Sequence, residues 1–320
     1  YARFCLMRHC LNEGGHMEGY YQKALDMYDE LKGKYSLFKS GSNPYTDLFK
    51  NANKFNNEII MAVSCDPNAD GNPKNGNANI LSMLVVPNEA SALDPQGNRT
   101  AFYPQNGGWN AFYNVAPKFY NSFEEGDKRK DAILTEFWTK DGIKVTKNDI
   151  GVKWDGFICN KFPVETPGTF QGTDIPLARW ADVLLMYAEA KVRLSKVAPT
   201  TDAIAAVNEV RNRANGSVVA DRDIYKTTMS YDELAEAAYN EHGWEIAGYY
   251  WGNIATRARD MFRMNRIKDH FEYRKLNPEI EVAPGVFRKE AVSVSGTWND
   301  SKMYLPRPFV DSSINPNLKN

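Results

Sequence analysis

The sequence lacks a disulfide framework: its four cysteines, Cys5, Cys10, Cys65 and Cys159, are too few and too scattered. No C-x-x-C pair or Cys/His metal spacing is present, so the thiols read as small buried hydrophobes. Cys5 and Cys10 are five positions apart in a helical stretch and fall on different faces, where a bridge would strain the helix. No run of about 18 apolar residues exists, which excludes a spanning helix in this chain. Charge of one sign is not in excess either. With 39 Lys+Arg against 40 Asp+Glu the net charge is -1, and nothing overall draws nucleic acid or an anionic surface. Catalytic signatures are missing as well: there is no G-x-S-x-G, no H-E-x-x-H and no G-x-x-x-x-G-K-[ST]. The four histidines, His9, His16, His242 and His270, are far apart. What remains is a globular composition, 42% hydrophobic and 25% charged over 320 residues, enough for about two domains and a core that needs no staple.

Hydrophobic spacing organises the chain. YARFCLMRHCL places Phe4, Met7, Cys10 and Leu11 at helical intervals from the first residue, with no cap or start Met ahead of it, so the segment reads as part of a longer protein. MEGYYQKALDMYDELKGK continues it as a helix hairpin, and FNNEIIMAVSCD reads as a short buried strand. Residues 66–174 turn Asn-, Gly- and Pro-rich with interspersed aromatics, which predicts long ordered loops carried by a scaffold. Helices resume over IPLARWADVLLMYAEAKVRLSK, where Leu177, Ala181, Leu184, Leu185, Ala188 and Val192 form an apolar stripe that leaves Arg179, Asp182, Glu189 and Lys191 off it. TDAIAAVNEVRNRAN follows as its hairpin partner. Ser230 to Glu233 is a capping box opening a further helix, and IATRARDMFRMNRIKDHF predicts one more. The expected division is a helical part over 1–65, a loop-rich region over 66–174, a second helical part over 175–275, and an extended segment over 276–320.

RWADVLLMYAEA followed by AVNEVRNRAN resembles the signature of the SusD/RagB family. Arg179, Ala181, Leu184 to Ala190, Arg211, Arg213 and Ala214 carry the match. FNNEIIMAV near Glu58, FEEGDKR from Phe123 to Arg129, and YLPRP with NPNLKN near the end follow in the family's order. The chain departs from the family's E-R…E…R…D-L-x-R run, having Glu241-His242, an aromatic GYYWG stretch, and Asp260-Met261 before Arg263. The resemblance implies a mostly α fold, a tetratricopeptide-like helical-repeat scaffold with a loop-rich irregular region and a few short strands. It implies a non-enzymatic lipoprotein on the outer membrane of a Bacteroidetes-type bacterium. Such a protein takes oligosaccharide or polysaccharide on its loop-rich face and passes it to a TonB-dependent β-barrel transporter (SusC-like); the alternative is a helical-repeat protein-interaction module without glycan binding, or a binder of a non-glycan nutrient such as peptide. The membrane contact would be a lipid anchor upstream of this chain. No cofactor is implied.

A sugar ring presents an apolar C–H face edged by hydroxyls, so its site needs exposed aromatic planes with amides or carboxylates beside them. AFYPQNGGWNAFYN supplies both, with Tyr103, Trp109, Phe112 and Tyr113 among Asn106 and Asn110. Gly107 and Gly108 predict a turn that presents the Trp109 indole outward. The plainer reading of any one of these aromatics is a plug beneath the loop. Trp154 joins the candidates as an aromatic in a polar loop, with burial the plainer reading. Asp66, Asn68 and Asp70, followed by Gly71, fit the opening of a calcium loop, although the twelfth position is Asn77 and brings no bidentate carboxylate. Solvated Asx turns are the plainer reading there. A glycosidase pair would have to come from Glu124, Glu125, Asp127 and Asp131, where a structural ion pair between Asp127 and Arg129 fits better.

Overall fold

The computed structural model describes residues 1–66, 77–109, 114–154, 156–215, 224–247, 251–289 and 294–303, with side chains left aside at 251–255 and 302–303. Helices α1 (Ala2–Glu13) and α2 (Tyr20–Leu31) form the first hairpin. Gly19, in the left-handed region at φ +75°, sets the entry to α2. Phe4, Met7, Cys10 and Leu11 face Ala24, Leu25, Tyr28 and Leu31, and each fully buried large side chain stabilises by roughly 1.5–3 kcal/mol. A short α3 (Pro44–Asp47) precedes β1 (Ile59–Val63) and α4 (Leu81–Val85).

The irregular region holds β2 (Asn114–Val115), α5 (Pro117–Asn121), β3 (Ile133–Leu134), β4 (Phe137–Trp138), β5 (Lys144–Val145) and β6 (Phe157–Cys159). Its strands order as β2-β6-β3 and β4-β5, all antiparallel. Phe102, Phe137, Ile150, Trp154, Phe157 and Ile158 give it a core of its own. β7 (Ile175–Arg179) then pairs antiparallel with β1 and runs directly into α6 (Trp180–Ser195). α7 (Thr201–Ala214), α8 (Tyr231–Ile246), α9 (Trp251–Arg263) and α10 (Ile267–Leu276) complete the helices, and β8 (Glu279–Ala283) and β9 (Val286–Lys289) form a last hairpin. α6 packs on α2, α7 and α8, so it is the axis of the scaffold. The fold is mostly helical with short strands, as the sequence pattern requires.

Three elements differ from the reading of the sequence. Ile175 to Arg179, including Leu177, is a strand and not the first turn of α6, because it pairs with β1 before Asp182 caps the helix through the Arg179 N–H at 3.0 Å. β1 is half exposed, with Met61 and Val63 facing outward. The stretch expected as one helix from Ile254 is broken into α9 and α10 at Asn265, which takes φ +55°, a conformation asparagine tolerates. The Ser230 capping box is present, with Glu233 N donating to Ser230 Oγ at 3.2 Å.

Candidate functional site

The loop leading to Trp109 is built by polar ties. Asp94 accepts from the N–H groups of Gln96 at 2.9 Å and Asn98 at 2.8 Å, closing a tight turn. Thr100 Oγ1 donates to Ser91 O at 2.7 Å, and Ser91 N donates to Trp138 O at 2.8 Å, which sews the loop to β4. Phe102 is its apolar anchor and meets Phe137 edge-on. Gln105 accepts from Gly168 N at 3.1 Å and donates to Gly107 O at 3.3 Å. Gly107 and Gly108 donate to Ala90 O and Pro87 O, and Trp109 N donates to Met83 O at 2.8 Å.

The two glycines are required by space. Gly107 has φ +67°, and a Cβ there would stand 2.3 Å from Asn88 O. A Cβ on Gly108 would stand 2.2 Å from Val86 O. The close approach of the two chain segments leaves the Trp109 side chain pointing outward, 50% exposed. Tyr103 is 38% exposed, with the Arg99 guanidinium 4.2 Å from its ring centroid. The Asn106 side-chain oxygen accepts from Ala92 N at 2.7 Å, which leaves its exposed amide N–H₂ without a partner among the described residues. One loop thus presents two aromatic surfaces and an amide donor. Asn110, Phe112 and Tyr113 lie outside the described residues.

Trp154 must be removed from the candidates. Its indole is buried, packs against Phe137 and Phe157, and donates to Thr146 O at 3.1 Å, so it has no open face. Asp66 is exposed and its N–H donates to Asn77 O at 2.6 Å, while Asn68 and Asp70 lie outside the described residues. The Asn77 amide nitrogen donates to Ser64 O. Among the described residues no group of three or more His, Cys, Asp or Glu is arranged to hold a metal ion.

Sequence periodicity missed a buried charge lattice. Arg179, Asp182 and Glu189, placed off the apolar stripe of α6, are all buried. Arg129 pairs with Asp127 at 2.6 Å, Glu241 at 2.8 Å and Glu245 at 3.1 Å. Arg211 Nε meets Glu241 at 2.7 Å and its Nη1 meets Asp127 at 3.1 Å. Arg179 and Arg213 share Glu58 and Glu245 at 2.7–2.9 Å. Asp127 is thereby an ion-pair partner and not a free general acid or base. Burial alone would raise the Glu245 carboxyl, but Arg213, Arg179 and Arg129 outweigh it and hold it well below the carboxylate range. Four guanidinium groups balance four carboxylates, and Lys161, fully buried beside them, is driven toward its neutral form by burial, with Arg179 adding to the effect. The lattice joins the irregular region (Asp127, Arg129) to the helical scaffold (Arg211, Arg213, Glu241, Glu245) and so fixes the platform from which the Trp109 loop projects. Its signal in the sequence was the R-x-R of α7 and the Glu241/Glu245 pair, at i, i+4 on α8.

Helix pairs bearing an irregular aromatic region, locked by buried arginine and carboxylate groups, define a helical-repeat scaffold with an irregular region packed on it. A sequence model of the SusD family matches residues 57–320, and the chain belongs to that family. Solved structures share the fold. One is a SusD superfamily protein from Parabacteroides distasonis, 18% identical, TM-score 0.60, matching 98% of this chain and 60% of its own. Another is surface glycan-binding protein A from Bacteroides uniformis, 19% identical, TM-score 0.61, matching 98% of this chain and 59% of its own. A third is surface glycan-binding protein A from Bacteroides thetaiotaomicron in complex with laminarihexaose, 19% identical, TM-score 0.60, matching 96% of this chain and 60% of its own. The chain therefore spans about 60% of the length of these structures. Comparison with curated protein sequences gives no match.

Proposed function

We propose that this chain is part of a non-enzymatic glycan-binding protein of the bacterial surface, which captures oligosaccharide on its irregular face and delivers it to a TonB-dependent β-barrel transporter. Attachment to the outer membrane would come from a lipid anchor. Family membership supports the reading, as do the relatives named for surface glycan binding, one of them bound to laminarihexaose. In the described part of the chain, no helix is long and apolar enough to cross a membrane. The observation that carries the proposal is the Trp109 indole, half exposed in a loop pinned by two glycines, with Tyr103 and the Asn106 amide on the same loop. An aromatic plane of that kind stacks on the C–H face of a sugar, and an amide reads its hydroxyls.

Affinity-gel retardation across neutral host, plant and microbial polysaccharides tests it. Retardation by at least one gel, weakened about tenfold or more in Trp109→Ala, is expected. Unretarded migration on every polysaccharide gel, neutral and acidic alike, would sink the glycan reading and favour a protein-interaction scaffold. Equal retardation of wild type and variant would move the site off Trp109.

A further inference from the structure

A second aromatic platform lies away from the Trp109 loop, on α5. Tyr120 is half buried and meets Phe157 edge-on at 5.0 Å, so its ring is fixed. Two ammonium groups from different turns converge on it. Lys130 Nζ, from the 3₁₀ turn Lys128–Ala132, is 5.0 Å from the ring centroid, and Lys147 Nζ, from the 3₁₀ turn Lys147–Asp149, is 5.2 Å from it. Both lysines are half buried, and neither has a carboxylate within ion-pair distance among the described residues. The acidic groups nearby are engaged elsewhere. Asp131 accepts from Asn43 at 3.0 Å and faces Lys128 at 4.0 Å, and Asp149 caps its own turn through Thr146 and pairs with Lys153 at 3.1 Å. Positive charge continues on both sides. Lys118, two residues before Tyr120, lies 3.3 Å from the Tyr273 ring centroid, and Arg288 donates to Asn148 O beside Lys147. Burial pushes the His270 imidazole below its ordinary range, and Arg274 and Lys118 push it further.

We infer that Tyr120, Lys130 and Lys147 form a binding subsite for an acidic sugar unit, one carrying a carboxylate or a sulfate ester. A turn that binds phosphate alone presents backbone N–H groups and arginine forks. This site instead joins an aromatic ring to two ammonium donors, which matches a ring with an apolar face and an anionic substituent. The two turns are rigid at their bases: buried Arg129 anchors one, and the Thr146–Asp149 capping box anchors the other. An anion there would accept charge-assisted hydrogen bonds from ammonium groups that have no carboxylate partner among the described residues. The choice of a saccharide over other anions rests on the carbohydrate-binding reading above as well as on Tyr120.

The test uses the whole chain with three probes: polygalacturonate, chondroitin sulfate, and vesicles containing phosphatidylglycerol. Wild type, the Lys130→Gln/Lys147→Gln double variant, Tyr120→Phe and Trp109→Ala are compared on affinity gels, alongside the neutral polysaccharides. The inference expects retardation by at least one acidic polysaccharide. That retardation should weaken about tenfold or more in the double variant and fall sharply at about 0.5 M salt. It should persist in Trp109→Ala, and Tyr120→Phe keeps the ring and reports that the platform is intact. Retardation on neutral gels alone overturns the inference and leaves the glycan reading standing. Silence on all saccharides overturns both. Lysine-dependent binding to the vesicles without retardation by any acidic saccharide overturns it in favour of a membrane surface.

Discussion

Arg213 Nη1 lies 2.8 Å from Glu58 Oε2 across 155 residues of sequence, and both side chains are completely buried. The contact ties α7 of the scaffold to the head of β1. Glu58 Oε2 also accepts from Phe38 N at 2.8 Å, and Arg179 holds Glu58 Oε1 at 2.9 Å. Every polar atom of this carboxylate therefore has a protein partner, which is the condition under which a buried charge persists.

Neutralising one member should be severe. Glu58→Gln leaves Arg213 and Arg179 sharing Glu245, with only Asp182 at 3.8 Å from Arg179 besides, and the expected loss is about 3–5 kcal/mol of unfolding free energy. Urea unfolding followed by far-UV circular dichroism measures it. A loss under about 1 kcal/mol would show that the lattice is not what joins the two regions.

Lys161 should behave in the opposite way. It donates to Glu245 O at 2.9 Å, but that carbonyl also accepts from Tyr45 Oη at 2.9 Å and Arg179 Nη2 at 3.1 Å. Tyr45 and Phe49 flank the amine, each ring centroid 5.1 Å away. Lys161→Met removes a costly buried amine and keeps the stem volume, so the change should stay within about 1 kcal/mol of zero or be stabilising. A loss comparable to that of Glu58→Gln would mean that the ammonium is integral to the lattice.

The dependence of stability on pH should have two limbs. Glu245 is held below its ordinary value of 4.5, so its contribution is fully present above pH 4.5 and is lost as pH falls toward the folded value. Asp260, where burial opposes and His242, Arg263 and Arg257 outweigh it, acts in the same sense below its ordinary 3.8. His242 is the reverse. Burial would lower it, but Asp260 at 2.7 Å and Asp182 at 3.5 Å outweigh that and raise it to about 9. Its contribution, on the order of 3 kcal/mol, is fully present below pH 6.5 and is lost as pH rises through about 9. His270, depressed by burial, acts in the opposite sense and only below pH 6.5. Melting temperature scanned across this range should decline on the alkaline side from pH 6.5, and His242→Gln should flatten that limb. An unchanged alkaline limb in the variant would place the titration elsewhere.

The helices were legible because their signals are local: the stripe of α6, the stripe of α7 and the Ser230 cap each lie within one stretch of sequence. The charge lattice was not, because its members come from five separate segments and only tertiary contact reveals that Arg179 and Glu189 face inward. α6 is buried on nearly every side, so an apolar stripe that leaves its polar residues off it gives no sign that they too are buried. For Trp154 burial is the plainer reading of the sequence, and what local sequence does not give is its partner, Thr146 O, which accepts the indole N–H inside a second core. The outward indole of Trp109 was legible through Gly107 and Gly108, whose lack of side chains is a local and physical requirement.

That requirement yields the sharpest test of the loop. A methyl group on Gly108 would meet Val86 O at 2.2 Å and Met83 O at 2.8 Å, and both are backbone atoms that cannot rotate away. Relief requires moving the loop, which breaks the Gly108 N to Pro87 O bond at 3.1 Å and the Trp109 N to Met83 O bond at 2.8 Å. Gly108→Ala should therefore cost about 1–3 kcal/mol and displace the indole, so that glycan retardation falls toward the Trp109→Ala level although no side chain of the site has been removed. Gly97→Ala is the control. It lies at φ +83° in the turn held by Asp94 with nothing within 4 Å of the added Cβ, so it brings only backbone strain of about 1–2 kcal/mol and should leave retardation unchanged. Equal retardation by Gly108→Ala and wild type would mean that the position of the Trp109 indole does not govern binding.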